Sequence, residues 1–252
     1  MLRLYHVLIG FILIPIGITT AASYFSAKKD TQASSAKIPT PAVTSQKPNQ
    51  DNIWNNLLEN NSLPEGWKIN PCENKKSLLC ISANEKILGT VEMKILPVKT
   101  QPNFQKALLN TGIPIDQNIN YQSPKYISQV TTALNSWVQN YYGVIAKKRK
   151  YVYNDELKTA KTADGILFST YPLQKAQVGK LQGVTFGFTG IKQKGGLREQ
   201  YRGYVAFDGK AIYLISTGFD AASSNGNFEK LENFSIFQPY LNSVVANLKL
   251  PN

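Results

Sequence analysis

"LREQYRGYVAFDGKAIYLISTGF", residues 197–219, decides the fold of this chain. Two runs rich in Val, Ile, Tyr and Phe flank Asp208-Gly209, and such runs are typical of β-strands. Gly209 tolerates the positive φ that a two-residue hairpin turn demands. The stretch therefore predicts two antiparallel strands joined by a tight turn.

Other segments of the chain share this strand-like composition. They are "GWKINPC" (66–72), "SLLCIS" (77–82), "KILGTVEMKILPV" (86–98), "GILFSTYPL" (165–173) and "LQGVTFGFTGI" (181–191). In the third of them Val91, Met93 and Ile95 alternate with other residues, which predicts that they face a core before Pro97 ends the strand. Pairing the first two segments across "ENKK" predicts a second hairpin.

Helical periodicity appears first in two short segments. In "DNIWNNLLENN" (51–61), Trp54 is followed by apolar residues at helical spacing, and Asp51 is in a position to cap the amino end. "NFQKALLNTG" (103–112) predicts a short helix that Gly112 closes. Both segments are therefore expected to be helical.

Two longer helices are predicted further along. In "SPKYISQVTTALNSWVQNYYG" (123–143), Ser123 is the expected cap, Pro124 the first helical residue and Gly143 the end. "SIFQPYLNSVVANLKL" (235–250) has an apolar stripe at near-ideal helical spacing, with Pro239 expected in its first turn. The apolar residues of the first segment are expected to belong to the core rather than to a cofactor site, and the second is expected to be an amphipathic helix that covers a sheet.

The order of these elements predicts the fold class. Strands, helices, an antiparallel meander and a closing amphipathic helix indicate an α+β protein, an antiparallel sheet with helices packed on it. We expect residues 51–252 to form a single globular α+β domain.

The amino-terminal part of the chain predicts membrane targeting. Residues 4–25 contain no Asp, Glu, Lys or Arg, and as a helix they would reach roughly 33 Å, enough to cross a bilayer core. Residues 1–27 are therefore interpreted as an uncleaved membrane anchor or a signal peptide cleaved near Ala22. Residues 28–50, rich in Ser, Thr, Pro and Lys, predict a flexible linker.

The two cysteines bear on the compartment. Cys72 and Cys80 are too far apart for a redox Cys-x-x-Cys motif and too few for a thiolate-only zinc site. They predict a disulfide across the second hairpin, with two independent buried thiols as the alternative. A lone amino-terminal apolar segment usually sends the following domain outward, so we expect the domain on the periplasmic or thylakoid-luminal side of an inner or thylakoid membrane. If the signal is cleaved, the protein is secreted into that compartment.

Several familiar chemistries are excluded from the domain. The single histidine, His6, lies in the apolar segment, so no imidazole remains for acid–base catalysis or for metal binding. "GYVAFDGK" (203–210) misses the spacing of a phosphate-binding loop, and Gly183, Gly187 and Gly190 are expected to mark bulges or close backbone approach. Ser-Lys or paired-carboxylate chemistry stays open. We expect no cofactor, no metal and no identifiable catalytic residue.

A basic run is the one candidate interaction surface. The net charge is +12, concentrated in the middle of the chain, where Lys147, Lys148, Arg149 and Lys150 are consecutive. Flanking tyrosines are compatible with nucleic-acid binding, but an exported domain instead meets anionic lipid headgroups or an acidic partner protein. A solvated helix end or edge strand explains the same residues. We therefore expect no nucleic acid and keep the other two interpretations open.

The assembled segments carry a resemblance. "LQGVTFGFTG", "YRGYVAFDGKAIYLISTGF" and "FEKLENFSIFQPYLNSVVANLKLP", in this order, resemble exported cyanobacterial proteins of unknown function over most of residues 51–252. More distantly, the hairpin and closing helix resemble PsbP-like domains, the extrinsic proteins of photosystem II. That resemblance implies an α+β sandwich that acts by docking, and it transfers no functional residue.

These observations predict a non-enzymatic accessory or scaffolding protein at the membrane. It would bind a protein or membrane partner on the periplasmic or thylakoid-luminal side, with the membrane reached through residues 4–25 if they are uncleaved. The alternative is a cell-envelope hydrolase or ligand-binding protein that uses Ser, Lys or carboxylate residues. The identity of the partner and the oligomeric state are not specified by the sequence.

Overall fold

An antiparallel sheet forms around the hairpin that residues 197–219 predict. The structure is a computed structural model that describes residues 52–59, 62–115, 119–148, 152–154, 159–161, 166–192, 195–220 and 226–250. Its strands are β1 (Trp67–Pro71), β2 (Leu78–Ala83), β3 (Lys86–Pro97), β4 (Val152–Asn154), β5 (Thr159–Lys161), β6 (Leu167–Thr170), β7 (Gln174–Val178), β8 (Leu181–Ile191), β9 (Leu197–Phe207) and β10 (Ala211–Phe219). Within the described residues the order is β1-β2-β3-β10-β9-β8-β6-β5-β4, and β7 pairs with β8 beside β6.

The helices complete an α+β architecture, which confirms the predicted fold class. They are α1 (Pro102–Asn110), α2 (Ile127–Lys148) and α3 (Leu231–Ala246), and a short 3-10 turn, Val98–Thr100, precedes α1. The described residues belong to one compact unit. The predicted segments 1–27 and 28–50, with the expected membrane span 4–25 inside the first, lie outside the described residues.

Two apolar cores lie on opposite faces of the sheet because strand residues alternate between its faces. On β9, Val205 and Phe207 pack with α1 and α2, whereas Tyr204 and Ala206 pack on the face that α3 covers. The first core includes Phe104, Leu134, Val138, Phe186 and Ile212. The second includes Trp54, Val91, Ile215, Phe237 and Leu241. The sheet is therefore the middle layer of the domain.

The β9–β10 connection differs slightly from the prediction. β9 ends at Phe207 and β10 begins at Ala211, so three residues connect the strands instead of two. The side chain of Asp208 accounts for the difference, because its Oδ1 accepts the backbone N–H groups of Lys210 and Ala211, each at 2.7 Å. Gly209 has the positive φ, 104°, that was expected of it.

The amino-terminal hairpin confirms the predicted disulfide. β1 and β2 pair antiparallel, and Cys72 and Cys80 are bonded with their Cα atoms 5.0 Å apart. The segment before β1 was predicted to be helical, and this was wrong: residues 53–57 form turns. Asn52 explains the turn, since its Oδ1 accepts the Trp54 backbone N–H at 2.9 Å, a local bond that competes with helix formation.

Two helix boundaries also differ from the prediction. Gly143 does not end α2, which continues to Lys148. A glycine in a helix interior costs about 1 kcal/mol relative to alanine, and the burial of Ile145 and Ala146 in the next turn offsets that cost. The basic run therefore begins inside α2 rather than in a new element.

α3 begins earlier than predicted, so Pro239 lies in the helix interior and not in its first turn. An interior proline costs about 3 kcal/mol, because it lacks the N–H of one helical hydrogen bond and its ring clashes with the preceding turn. Phe234 and Phe237 before it and Leu241 after it are fully buried, and their burial offsets this cost.

Three short strands, β4, β5 and β7, were not predicted. The sequence of β7, "QKAQV", lacks the alternating apolar residues that mark a strand. Its pairing with β8 is directed by the neighbouring strand rather than by its own composition. The predicted alternation of β3 also fails at Ile95, which is 40% exposed.

Among the described residues, no helix is both long enough and apolar enough to cross a membrane.

Candidate functional site

A polar face of the sheet remains beside α3. On β9, Gln200 and Arg202 share the face of Tyr204, because residues two apart point to the same side of a strand. Both residues are only partly buried. This face is therefore apolar under α3 and polar beyond it.

A groove lies at this border and has a volume of about 550 Å³. The groove lies between α3 and β7, above a floor formed by β8 and β9. The helix contributes Ser235, Gln238, Pro239, Asn242 and Ala246. The floor consists of Thr185, Arg202 and Tyr204, and residues 174–177 of β7 form the other side. We call it the α3–β7 groove. The volume lies within the range of ligand-binding clefts, roughly 300 to 1,000 Å³.

The charge of the α3–β7 groove has one sign. Its cationic residues are Arg202, on the α3 face of the sheet, and Lys175, which borders the groove at the edge of β7 and pairs with Val184 of the opposite core; the described residues that line the groove include no carboxylate. The remaining polar groups are hydroxyls and amides, which donate and accept hydrogen bonds without charge. Such a surface favours an anionic ligand that also carries hydrogen-bonding groups.

Arg202 is held by an aromatic ring. Its guanidinium lies 5.2 Å from the ring centroid of Tyr171, a cation–π distance. The Tyr171 hydroxyl is itself held, since Gln200 Nε2 donates to it at 3.1 Å and it shares a hydrogen bond with Thr189 Oγ1. A cation fixed in this way loses less side-chain entropy when an anion binds.

Tyr204 joins the floor of the groove to its helical wall. Its hydroxyl donates a hydrogen bond to Asn242 Oδ1 on α3. Burial raises the pKa of the Tyr204 phenol, and the positive charge of Arg202 opposes that rise. The phenol therefore stays protonated at physiological pH and acts as a hydrogen-bond donor.

Pro239 removes one backbone hydrogen bond from the helical wall. A proline has no N–H, so Pro239 cannot donate the usual helical hydrogen bond to the Ser235 carbonyl one turn earlier. Both residues line the α3–β7 groove.

The predicted site residues lie elsewhere. The bonded pair Cys72 and Cys80 belongs to the β1–β2 end of the sheet, several strands away from β7. Lys147 and Lys148 end the backbone of α2, whereas Arg149 and Lys150 lie outside the described residues. The role of the basic run stays a prediction.

The glycines of β8 behave as predicted. A Cβ at Gly183 would overlap the Val205 carbonyl oxygen, and one at Gly190 would lie 2.9 Å from Glu199 Cγ. The β8–β9 register also shifts at Gly190, which marks a bulge. These glycines therefore allow close strand approach and are not a nucleotide-binding motif.

The described residues contain no group of three or more His, Cys, Asp or Glu side chains that could hold a metal ion. Glu229 and Glu232, a pair of acidic residues near the carboxyl terminus, line a separate hollow with Lys86 and Lys230. Glu232 lies in the first turn of α3, where a carboxylate stabilises the helix dipole. The other acidic pair, Asp155 and Glu156, lies outside the described residues.

The residues of the α3–β7 groove were missed by the sequence analysis. One signal was present in "LREQYRGYV", where Arg198, Gln200 and Arg202 alternate with less polar positions and so mark a hydrated strand face. The contributions of β7 and α3 had no such signal, because only the fold brings them beside β9.

No model of a known protein family matches the chain, and no curated protein matches it.

Proposed function

We propose that the protein is a non-enzymatic, membrane-associated accessory protein that binds an acidic partner protein through the α3–β7 groove. One observation carries this proposal: the groove holds Arg202 among uncharged hydrogen-bonding groups, Lys175 borders it at the edge of β7, and its described lining has no carboxylate. Lys175 and Arg202 would repel a basic partner, whereas they would attract and orient acidic side chains.

The proposed location is the periplasmic or thylakoid-luminal side of the membrane. The Cys72–Cys80 bond supports it, since disulfides persist in oxidising compartments. Residues 4–25 would hold the protein at the membrane if they are not cleaved. The PsbP-like sandwich belongs to this proposal as well, and helices on both faces of an antiparallel sheet are compatible with it.

Binding fits the groove better than catalysis does. A hydrolytic site needs a nucleophile with a base in hydrogen-bonding reach. Lys175, Arg202 and Tyr204 are the ionisable residues of the described lining, and both cations are positioned for attraction of an anion rather than for proton abstraction. The cell-envelope hydrolase is therefore the less favoured alternative.

A charge-exchange experiment tests the proposal. Dye-labelled polyglutamate is titrated against the wild type and against Lys175→Glu/Arg202→Glu, with fluorescence anisotropy as the readout. Two groove cations replaced by anions should weaken binding by about tenfold or more, because complementary charges become repulsive. Raising the salt from about 50 to 300 mM should weaken wild-type binding as well.

The matched control is Lys68→Glu/Lys106→Glu, which changes the net charge equally at two exposed lysines on β1 and α1. The proposal predicts that this control binds nearly as well as the wild type. Equal losses in both variants would reduce the effect to net charge and contradict a site in the groove.

A further inference from the structure

We propose that the acidic partner binds as an added strand along the free edge of β7. The inference rests on the proposed function, because it states how the partner is held at the α3–β7 groove. The occupant is an extended, acidic segment of a partner protein, recognised by backbone hydrogen bonds and by charge.

The turn after β7 determines which backbone groups face outward. Val178 pairs with Leu181 across Gly179 and Lys180, and Gly179 has a φ of 57°, as the first position of a type II′ turn requires. Such a turn makes Val178 and Leu181 a hydrogen-bonded pair. In an antiparallel ladder the next pair along is not hydrogen-bonded, so Gln177 directs its N–H and C=O away from β8.

A hydrogen bond at Gln182 supports this assignment independently. Gln182 is the cross-strand partner of Gln177, and its backbone N–H donates to the side-chain Oε1 of Gln122 at 2.7 Å. Gln122 also donates to the Phe207 carbonyl at 2.9 Å, on the β9 side of β8. The main chain of Gln182 therefore points away from β7, and by the same alternation the outward residues of β7 are Lys175 and Gln177.

This edge is accessible. Among the described residues β7 pairs with β8 alone, and the side chains of Lys175 and Gln177 are exposed. Both residues line the α3–β7 groove and also a second hollow of about 430 Å³ with Lys180 and Gln182. An extended chain can therefore approach the edge of β7 without displacing a described element.

Charge selects an acidic occupant. Lys175 is within the strand, Lys180 is in the adjoining turn, and Arg202 is in the groove, whereas the described linings of both hollows contain no carboxylate. Cross-strand pairs of opposite charge stabilise a sheet, and like charges destabilise it. An added strand with Glu or Asp opposite Lys175 would form such a stabilising pair of opposite charges.

An edge lysine also discourages unwanted strand pairing, so Lys175 has a purely protective interpretation. The two interpretations differ in what happens when an acidic strand is supplied. The five residues of β7 span about 17 Å and offer the outward groups of Lys175 and Gln177. Only the binding interpretation predicts that these groups become hydrogen-bonded.

The test uses a dye-labelled, capped ten-residue peptide of alternating Thr and Glu. Gln177→Pro removes the outward N–H and leaves the β7–β8 bonds intact, since a proline is tolerated on an edge strand where its N–H faces solvent. Gln177→Ala retains the N–H and is the matched control. Since the two variants lack the same side chain and differ in the backbone N–H, we expect Gln177→Pro to bind the peptide about threefold to tenfold more weakly than Gln177→Ala.

Amide hydrogen exchange on the wild type provides a measurement that needs no variant. Bound peptide should slow exchange of the Lys175 and Gln177 amides at least about tenfold, because a new backbone bond must open before exchange. Binding that persists in Gln177→Pro without protection of these amides would overturn strand addition while leaving the proposed function intact. Absence of peptide binding to the wild type would overturn both.

Discussion

At the scale of single residues, glycines decide how closely the strands pack. A Cβ at Gly187 would overlap the Tyr201 carbonyl oxygen and lie 2.9 Å from Tyr171 Cδ2, whereas a Cβ at Gly143 meets no atom within 4 Å. The backbone N–H of Gly187 donates to the Tyr142 hydroxyl at 3.1 Å, so this glycine also fixes α2 on the sheet. Replacement by alanine should therefore lower the free energy of unfolding at Gly187 and raise it at Gly143.

Gly187→Ala should lower the free energy of unfolding by about 1 to 3 kcal/mol, as overpacking does. Gly143→Ala should raise it by about 0.5 to 1 kcal/mol, because alanine favours a helix interior over glycine. Urea unfolding of both variants and the wild type checks the pair. A stabilising Gly187→Ala would contradict the close strand approach described for β8.

The raised pKa of Tyr204 predicts that the protein becomes less stable at alkaline pH. Its folded pKa is raised by burial, so the folded protein keeps a proton that the unfolded chain releases above its ordinary tyrosine pKa of about 10. The contribution of Tyr204 to the free energy of unfolding is therefore fully present below about pH 10. Above that pH the free energy of unfolding falls, by up to about 1.4 kcal/mol per pH unit for each such group.

Urea unfolding between about pH 9 and 11.5 should show a shallower decline for Tyr204→Phe than for the wild type. Some decline should remain, since the pKa of Tyr201 is raised by burial and by its neighbour Tyr141. At neutral pH the variant should be about 1 kcal/mol less stable, because the Asn242 hydrogen bond is lost. Parallel declines would exclude Tyr204 as a contributor.

At the scale of secondary-structure elements, the amino-terminal hairpin is held by two devices. One is the Cys72–Cys80 bond. The other is Asn52, whose side-chain amide donates to the backbone carbonyls of Cys72 at 3.0 Å, Lys75 at 2.7 Å and Leu78 at 3.0 Å. The hairpin should therefore persist without its disulfide but be less stable.

Cys72→Ser/Cys80→Ser should lower the free energy of unfolding by about 2 to 3 kcal/mol, the loss expected for a short closed loop. Guanidinium unfolding of the variant measures it, and the wild type under reducing conditions is the control. Native-like circular dichroism in both samples would show that the fold is retained. Equal stability of the oxidised and reduced proteins would contradict the structural role of the bond.

The elements with an apolar period were predictable. The runs of β-branched and aromatic residues in β8, β9 and β10 and the stripe of α2 encode burial directly, and those elements are found where the sequence places them. The errors concern ends and short strands. Gly143 and Pro239 weaken a helix locally, yet buried neighbours such as Ile145 and Phe234 continue it, and local signals do not report that tertiary contribution.

At the scale of the whole molecule, the α3–β7 groove was beyond local patterns. Arg202 and Tyr204 mark one strand face, but Lys175 and Asn242 reach the same groove only through the strand order and the position of α3. The basic run 147–150 was the visible charge cluster in the sequence. The groove instead combines cations that are distant along the chain, which no spacing rule detects.

The central claim is that the α3–β7 groove and the edge of β7 bind an acidic segment. Its most direct test is the two-dimensional amide NMR spectrum of the ¹⁵N-labelled protein during titration with the Thr-Glu peptide. We predict that the shifted resonances cluster at Lys175, Gln177, Arg202 and Asn242. Shifts confined to the β1–β2 hairpin or to the end of α2 would contradict the claim, as would a spectrum that does not change.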